Sequence, residues 1–437
     1  DIDAVMYVII FGSIYLVNKA LYGFKQAARL WNKDMDSELK RLGFVVSKAD
    51  PCLYVKRDDA GVIFICTWVD DMMGAASSKQ LYLDFKQNFK YALSASGKFE
   101  YVLKIKATIG DDGTLSLNQA EYIVDMAKEF GLTNANPKLT PMITGASFCM
   151  DEAPAPGSDE QAVMDLLPYR RLLGMLMYVM NMRPDIAFAV IKLSKFGANP
   201  SMAQYKALKR ILVYLYTTRQ RSLVMGRFKG DYTTVGGVVC NDRNPLSVTV
   251  DADHGGCKDT AKSTSGGSIK CYGDLVWAMS RRQKKVTSST AAAELEAMGA
   301  VLRRVTNLRE AMRDLGCYQE TVPIGSDSTA AIAMLKRGAF SSKSRHLLIT
   351  FHSVLEKIAD KEVLVYHLPG DVNTADIFTK PLPRAPFELH TANLLNDLGT
   401  HDYTFKLLPL GSTSVVSPTG GNKWHTGQSV ADCSWEA

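Results

Sequence analysis

What this chain lacks limits it before any motif is read. It has no apolar run long enough to span a bilayer. The longest uncharged apolar run, Ala4 to Val17, is 14 residues and contains Gly12 and Ser13, against about 20 for a spanning helix. It also lacks the basic leader of a secretory signal, so it reads as buried strand. The eight cysteines (Cys52, Cys66, Cys149, Cys240, Cys257, Cys271, Cys317 and Cys433) include no CxxC pair and no Cys/His set with zinc-finger spacing. Free thiols of an intracellular protein are the expectation, which excludes a disulfide scaffold and a zinc module. Net charge is small, +6 over 437 residues, a sign that favours an anionic partner. What is present, 46% hydrophobic and 22% charged residues, is a globular balance with length for two or three domains.

Periodicity then places the elements. Apolar residues from Phe24 to Leu42 recur every three or four positions, which predicts a helix over Lys19–Leu42 that stops at Gly43. Cys52–Val55 and Val62–Trp68 read as strands around Asp58-Asp59-Ala60-Gly61. Trp68-Val69-Asp70-Asp71-Met72-Met73-Gly74 puts two acids between β-formers, a tight turn between strands. Residues 143–160 look like a surface linker, and Tyr169 to Tyr216 like helices broken near Pro184 and Pro200. Further on, Leu246–Asp253 is a strand, Gly267–Tyr272 and Leu275–Ser280 form a hairpin around Gly273-Asp274, and Ala291–Leu315 is a long amphipathic helix. Val322–Ser326 is a strand, Arg345–Asp360 a helix, Val363–His367 a strand, and Asn373–Phe378 the start of a last short helix. This order predicts an α/β (α+β) chain whose second half is a mixed sheet with flanking helices.

Acids are scarce in one place. Residues 168–230 carry twelve Lys or Arg against the single Asp185, a local charge of +11. A one-sign stretch of that length suggests a track for phosphates, with Arg170, Arg171, Lys206, Lys209 and Arg210 as candidate contacts. Arg281-Arg282-Gln283-Lys284-Lys285 is a second basic group, and Arg281, Arg282, Lys284 and Lys285 are candidates for backbone contacts to a nucleic acid.

Four carboxylates carry the chemistry. Asp251 ends a strand, Glu294 lies in the first turn of the long helix, Asp327 follows a strand, and Asp376 lies at the start of the last helix. Acids at strand ends and helix starts can converge on one sheet edge. Four can hold two Mg²⁺ ions that activate water and stabilise the leaving oxygen of a phosphodiester.

The strings VDADHGG, KSTSGG, SSTAAAELEAM, SDSTAAI and ADIFTKPL, in that order, closely resemble the ribonuclease H domain of copia-type long-terminal-repeat retrotransposons. The resemblance implies that Asp251, Glu294, Asp327 and Asp376 are catalytic, metal-binding acids, and it matches His346 to a position that usually reads Lys-His. Upstream, NKALYGFKQAARLW resembles the family's reverse-transcriptase segment that supports nucleotide and template, with Gly23 and Gln26 at its recognisable positions. WVDDMMGA resembles the polymerase hairpin, which implies a metal-binding role for Asp70 and Asp71. Trp68 replaces the usual Tyr, His254 the usual Trp and Ala292 a common acid. Lys104 stands where a Gly is usual in a primer-contact turn; if that turn needs positive φ, Lys is poorly suited.

The resemblance implies a piece of a Pol polyprotein divided as follows: residues 1–142, partial reverse-transcriptase palm and thumb; 143–245, linker and basic helical connection; 246–395, ribonuclease H-like; 396–437, a tail expected to be disordered. A further polymerase Asp belongs on an earlier strand, a context that Asp1 and Asp3 do not supply, so polymerisation by this chain alone is not expected. The implied partners are an RNA/DNA hybrid, a DNA or RNA template-primer and the other parts of the polyprotein. No membrane is implied, and no small-molecule cofactor beyond nucleotides. The expected location is a cytoplasmic particle or the nucleus. A nucleic-acid-binding chain that does not cut is the alternative.

Overall fold

Strand-forming residues at the N-terminus fold back on themselves. In a computed structural model, which describes residues 7–10, 13–16, 24–93, 101–226, 232–233, 239–240, 245–317, 319–338 and 348–397, the single strand expected over Ala4–Val17 is two. β1 (Tyr7–Ile10) pairs antiparallel with β2 (Ser13–Leu16). The sequence puts Gly12 and Ser13, both turn formers, where one strand gives way to the other. Gly23, His346, Asp1, Asp3 and the tail beyond Asp397 lie outside the described residues.

Backbone contacts group the chain into two units, residues 1–99 with 307–316, and residues 100–306 with 317–437. In the first, α1 (Ala27–Arg41) is shorter than the expected Lys19–Leu42. Phe24–Gln26 precede it, and Gln26 is its N-cap. Lys40 and Arg41 occupy its last turn, where cations suit the helix dipole, and Gly43 follows at φ +87°. β3 (Val45–Val46), β4 (Leu53–Asp58), β5 (Gly61–Trp68) and β6 (Asp71–Ala76) form an antiparallel sheet. α2 (Lys79–Asn88) follows, capped by the Ser78 side chain, which accepts from the Leu81 N–H. Met35, Leu39, Phe44, Tyr54, Ile63, Ile65 and Phe89 close the core.

The second unit starts with β7 (Tyr101–Val102), β8 (Ile105–Ile109) and β9 (Leu115–Asn118). Between β7 and β8 both turn residues are left-handed, Leu103 at φ 49° and Lys104 at φ 57°. The turn does require positive φ, and a side chain there costs about 1–2 kcal/mol. The cost at Lys104 is met in part by its ammonium lying 5.1 Å from the Tyr122 ring centroid. Helices α3 (Ala120–Glu129), α4 (Asp159–Leu166), α5 (Tyr169–Val179), α6 (Ala187–Ser194) and α7 (Met202–Thr217) come next. Pro184 opens a single 3₁₀ turn, and α7 is started by a Ser201/Gln204 capping box. β10 (Leu223–Met225) completes the sheet with β9, and the short pair β11 (Tyr232–Thr233) and β12 (Val239–Cys240) follows.

The site rests on a five-stranded sheet. Its strands are β13 (Leu246–Asp253), β14 (Thr264–Cys271), β15 (Asp274–Arg282), β16 (Val322–Ser326) and β17 (Val363–His367), in the spatial order β15-β14-β13-β16-β17. The first three are antiparallel; β16 and β17 are parallel to β13. The hairpin turn is Tyr272-Gly273, with φ 50° and 83°, one residue earlier than expected: two positive-φ residues suit the strand twist, and Asp274 already pairs in β15. α8 (Thr290–Asp314) and α10 (Leu348–Ala359) are the expected helices, and α9 (Thr329–Arg337) lies between them. Residues 374–378 form a 3₁₀ turn rather than the start of a longer helix, and α11 (Arg384–Leu395), which the sequence reading passed over, comes after Pro383.

Helices α3 and α5–α7 share one core with the sheet and α11, since Leu172, Leu176, Leu208 and Leu212 cluster with Leu275, Phe378 and Leu394. At its centre Arg183 is 2% exposed. Its guanidinium grips Asp185 through Nε at 3.0 Å and Nη2 at 2.7 Å, and Tyr214 donates to the same carboxylate at 2.5 Å. Burial alone would raise the Asp185 pKa, but Arg183 and Tyr214 hold it below the ordinary value. Removing one charge strands the other in the core. Asp185→Asn is therefore expected to lower stability by about 3–5 kcal/mol, read from urea unfolding. A loss under about 1 kcal/mol would refute the pairing.

Candidate metal centre

The four candidate acids come from four elements. Asp251 lies on β13, Glu294 on α8, Asp327 just beyond β16, and Asp376 in the 3₁₀ turn. Glu294 is the fifth residue of its helix, in the second turn rather than the first, because the helix starts at Thr290. Asp251, Asp327 and Asp376 each offer a carboxylate oxygen within 4.8 Å of the others. Glu294 stands beside them, its Oε1 accepting from the Ala252 N–H at 3.3 Å.

A glycine makes this convergence possible. Gly266 of β14 pairs with Asp251 of β13. A Cβ on it would meet the Ala375 carbonyl oxygen at 2.8 Å, Thr379 at 2.7 Å and Phe378 at 2.9 Å. The 3₁₀ turn therefore lies directly on the strand, which places Asp376 against Asp251. Gly267 admits Val301 of α8, which a Cβ would meet at 2.5 Å. This is the physical content of KSTSGG. Asn373 anchors the turn: its Nδ2 donates to the Val250 carbonyl at 2.9 Å, and its Oδ1 accepts from Ala375 N at 3.1 Å. Thr379 donates its hydroxyl to Asp251 Oδ2, and Lys380 Nζ sits 2.9 Å from Asp376 Oδ2. Asn373, Thr379 and Lys380 were missed as individual residues, although two of them lie inside the ADIFTKPL string.

The electrostatics are those of an under-neutralised cluster. Burial and then the charges of Asp251 and Asp327 push Glu294 up to about 9. Burial and Asp251 raise Asp376 and Asp327, with Lys380 opposing in both. Glu294 Oε2 and Asp376 Oδ1 are buried without a hydrogen-bond partner. All-oxygen donors, two of them unmet, fit a hard divalent cation.

Asp70 and Asp71 are placed as expected, exposed at the β5–β6 turn. Val69 holds the turn at φ 52°, an outlier for a β-branched residue, and its carbonyl accepts from Trp31 Nε1 at 2.7 Å. Gly74 is required there, since a Cβ would meet the Phe64 carbonyl oxygen at 2.7 Å. Among the described residues no third acid groups with this pair.

The basic stretch is less of a track than its sequence suggests. Arg171 pairs with Glu129, Arg170 Nε donates to the Gly197 carbonyl at 2.6 Å, and Arg210 reaches Thr140 at 3.1 Å while half-buried. Arg183 and Lys195 pair with Asp185 and Asp259. Lys206 is exposed, and Lys209 lies 5.8 Å from the Tyr205 ring. Arg281, Arg282, Lys284 and Lys285 are all exposed, while Gln283 between them is buried and donates to Ser265 and to the Ala293 carbonyl, both at 2.9 Å.

Residues 11–144 match the reverse transcriptase (RNA-dependent DNA polymerase) family. The chain is 31% identical over 379 residues to the retrovirus-related Pol polyprotein from transposon TNT 1-94 of Nicotiana tabacum, which covers 85% of this chain and 27% of that protein. It is 29% identical over 378 residues to the Pol polyprotein from transposon RE1 of Arabidopsis thaliana, covering 85% and 24%. The chain thus spans about a quarter of the length of these relatives. Among solved structures, a foamy viral protease–reverse transcriptase in complex with dsDNA superposes with TM-score 0.44 at 14% identity, covering 83% of this chain and 63% of that one. A ribonuclease H1 isolated from compost superposes at TM-score 0.25 and 19% identity, covering 31% and 93%.

A carboxyl whose folded pKa exceeds its unfolded one stabilises the fold while protonated, and that contribution is lost as pH rises through the folded value. Glu294, raised from 4.5 to about 9, sets the window. The metal-free melting temperature is expected to fall between about pH 5 and about pH 8, and Mg²⁺ is expected to restore it at the upper end far more than at the lower. A metal-free curve that is flat or rising, by calorimetry, contradicts the cluster. Gly266→Ala is expected to cost about 1–3 kcal/mol and to reduce the Mg²⁺-induced shift.

Proposed function

We propose that this chain is a stretch of a copia-type transposon Pol polyprotein, whose residues 11–144 match the reverse transcriptase family, and that residues 246–395 act as a Mg²⁺-dependent ribonuclease H. It hydrolyses the RNA strand of an RNA/DNA hybrid. The observation that carries this reading is the meeting of Asp251, Asp327 and Asp376, with Glu294 alongside, on one edge of a mixed sheet.

The residues divide the work. Asp251, Glu294, Asp327 and Asp376 hold the cations, and the unmet Glu294 Oε2 and Asp376 Oδ1 are open to them. Bound divalent cations supply an activated water and charge for the leaving oxygen. Thr379 fixes the Asp251 carboxylate, and Lys380 limits repulsion at Asp376. Arg281, Arg282, Lys284 and Lys285 contact backbone phosphates, which suits a hybrid recognised by shape and 2′-hydroxyls rather than by base edges. Lys206 and Lys209 extend that contact. Asp70 and Asp71 belong in this reading to the polymerase metal site, with nucleotide and template supported by Gly23 and Gln26; the remaining acid is supplied from elsewhere in the polyprotein. In this reading the work takes place inside the cell, in a cytoplasmic particle or the nucleus.

A labelled RNA/DNA hybrid with Mg²⁺ tests the reading. Cleavage is expected, confined to the RNA strand. Asp327→Asn is expected to slow it at least about a hundredfold, since even outer-shell partners of metal ligands are worth 10–100-fold. Binding without cleavage, or cleavage indifferent to Asp327→Asn, would favour the non-cutting alternative.

A further inference from the structure

The loop that follows β13 builds a thiol site beside Asp253, two residues beyond Asp251 on the same strand. Residues 257–262 close on themselves: Ala261 N donates to the Cys257 carbonyl at 2.7 Å, and Cys257 N to the Lys262 carbonyl at 3.2 Å. The loop presents the Cys257 sulfur to α6, where Lys195 Nζ donates to Sγ at 3.4 Å. Lys195 is 14% exposed and also pairs with Asp259, which fixes its head beside the sulfur. In front lies a cavity of about 130 Å³. The charged groups that face it are Lys192, Lys195, Lys258, Arg282 and Asp253, with Asp259 behind Lys195.

A second observation points to an occupant. Ser280 of β15 lines the same cavity, is 9% exposed, and its Oγ has no hydrogen-bond partner. A buried hydroxyl left unmet costs about 1–3 kcal/mol, so a small polar molecule in the cavity relieves it. We propose that Cys257 is an oxidant-sensitive modification site, with a small peroxide as substrate, attacked by the sulfur while Lys195 and Ser280 hold its oxygens. Burial pushes this thiol up, but hydrogen bonds from Thr260 and from Lys195, with the Lys195 charge, outweigh it and leave the group below its ordinary value.

The step balances. The thiolate attacks one peroxide oxygen, the S–O bond forms and the O–O bond breaks. The electron pair leaves on the other oxygen, which takes a proton from Lys195 and departs as water. Sulfur is oxidised by two electrons to the sulfenic acid, and the peroxide is reduced.

Cys66 is the internal control, because burial raises its pKa with no cation to oppose it. The full chain is treated with hydrogen peroxide, the sulfenic acid is trapped with a cyclic diketone, and each cysteine is quantified by peptide mass spectrometry. Iodoacetamide alkylation is followed against pH in parallel. Cys257 is expected to react at least about tenfold faster than Cys66 near neutral pH. Lys195→Met is expected to slow Cys257 several-fold and to move its alkylation midpoint to higher pH. Thr260→Val is expected to do the same to a smaller extent, so the idea survives if one variant fails to fold. Equal rates at Cys257 and Cys66 in the unaltered chain overturn it, as does a folded Lys195→Met protein whose Cys257 reacts as before. Neither result bears on hybrid cleavage.

Discussion

The approach of a 3₁₀ turn to a strand at Gly266 is the contact on which the site depends. Asp251 can meet Asp376 only if the chain carrying the second lies on the strand paired with the first, and a side chain at 266 would stand between them. The segment that satisfies this demand is bound to the central strand β13 at several points. Asn373 reaches the Val250 carbonyl, Thr374 reaches Thr249 at 3.1 Å, and Thr379 reaches Asp251. Each bond is modest alone, about 1 kcal/mol. Together they fix the position of a turn that has few backbone bonds of its own.

That turn is held against a force. Acids brought together with little water around them repel, and burial first, then the charge of Asp251, raises the pKa values of Glu294, Asp327 and Asp376. Lys380 offsets part of the repulsion, but one ammonium does not balance four carboxyls. The protein tolerates the strain because the surrounding core is large. Phe378, Ile377 and Ala375, the apolar residues of the turn itself, are buried in the cluster that α5–α7 build. Hydrophobic burial on one side of the turn thus secures an electrostatic conflict on the other, as expected of a site that a cation completes.

Much of this was legible because period and punctuation agree here. Val322–Ser326 and Val363–His367 were read to the residue, and β13 likewise, since short β-branched runs bounded by polar residues have few other readings. Three of the four acids were legible because they lie near the ends of short elements, Asp251 in the last three residues of β13, Asp327 just beyond β16 and Asp376 in the 3₁₀ turn. What escaped has physical causes. α11 has a weak apolar stripe and starts in a proline-rich segment, so neither period nor composition marks it. The N-terminal hairpin is apolar on both strands, and Gly12 and Ser13 are too short an interruption to separate two strands from one by pattern alone. The supports Thr379, Lys380 and Asn373 act through contacts with residues more than a hundred positions away or within their own turn. Only the three-dimensional fold gives them meaning.

The basic segment teaches a sharper distinction. Its charge of +11 was counted along the chain, but charges are neutralised in space. Glu129 lies opposite Arg171, Asp259 opposite Lys195, and Asp185 is enclosed by Arg183. Several of the twelve cations thus serve the fold. The second basic group differs, since Arg281, Arg282, Lys284 and Lys285 all stay exposed, and their placement is not accidental. Gln283, turned inward among them, bonds to Ser265, the neighbour of Gly266, and to the carbonyl of Ala293, the neighbour of Glu294. The residue that turns four cations outward is thereby tied to both walls of the carboxylate cluster.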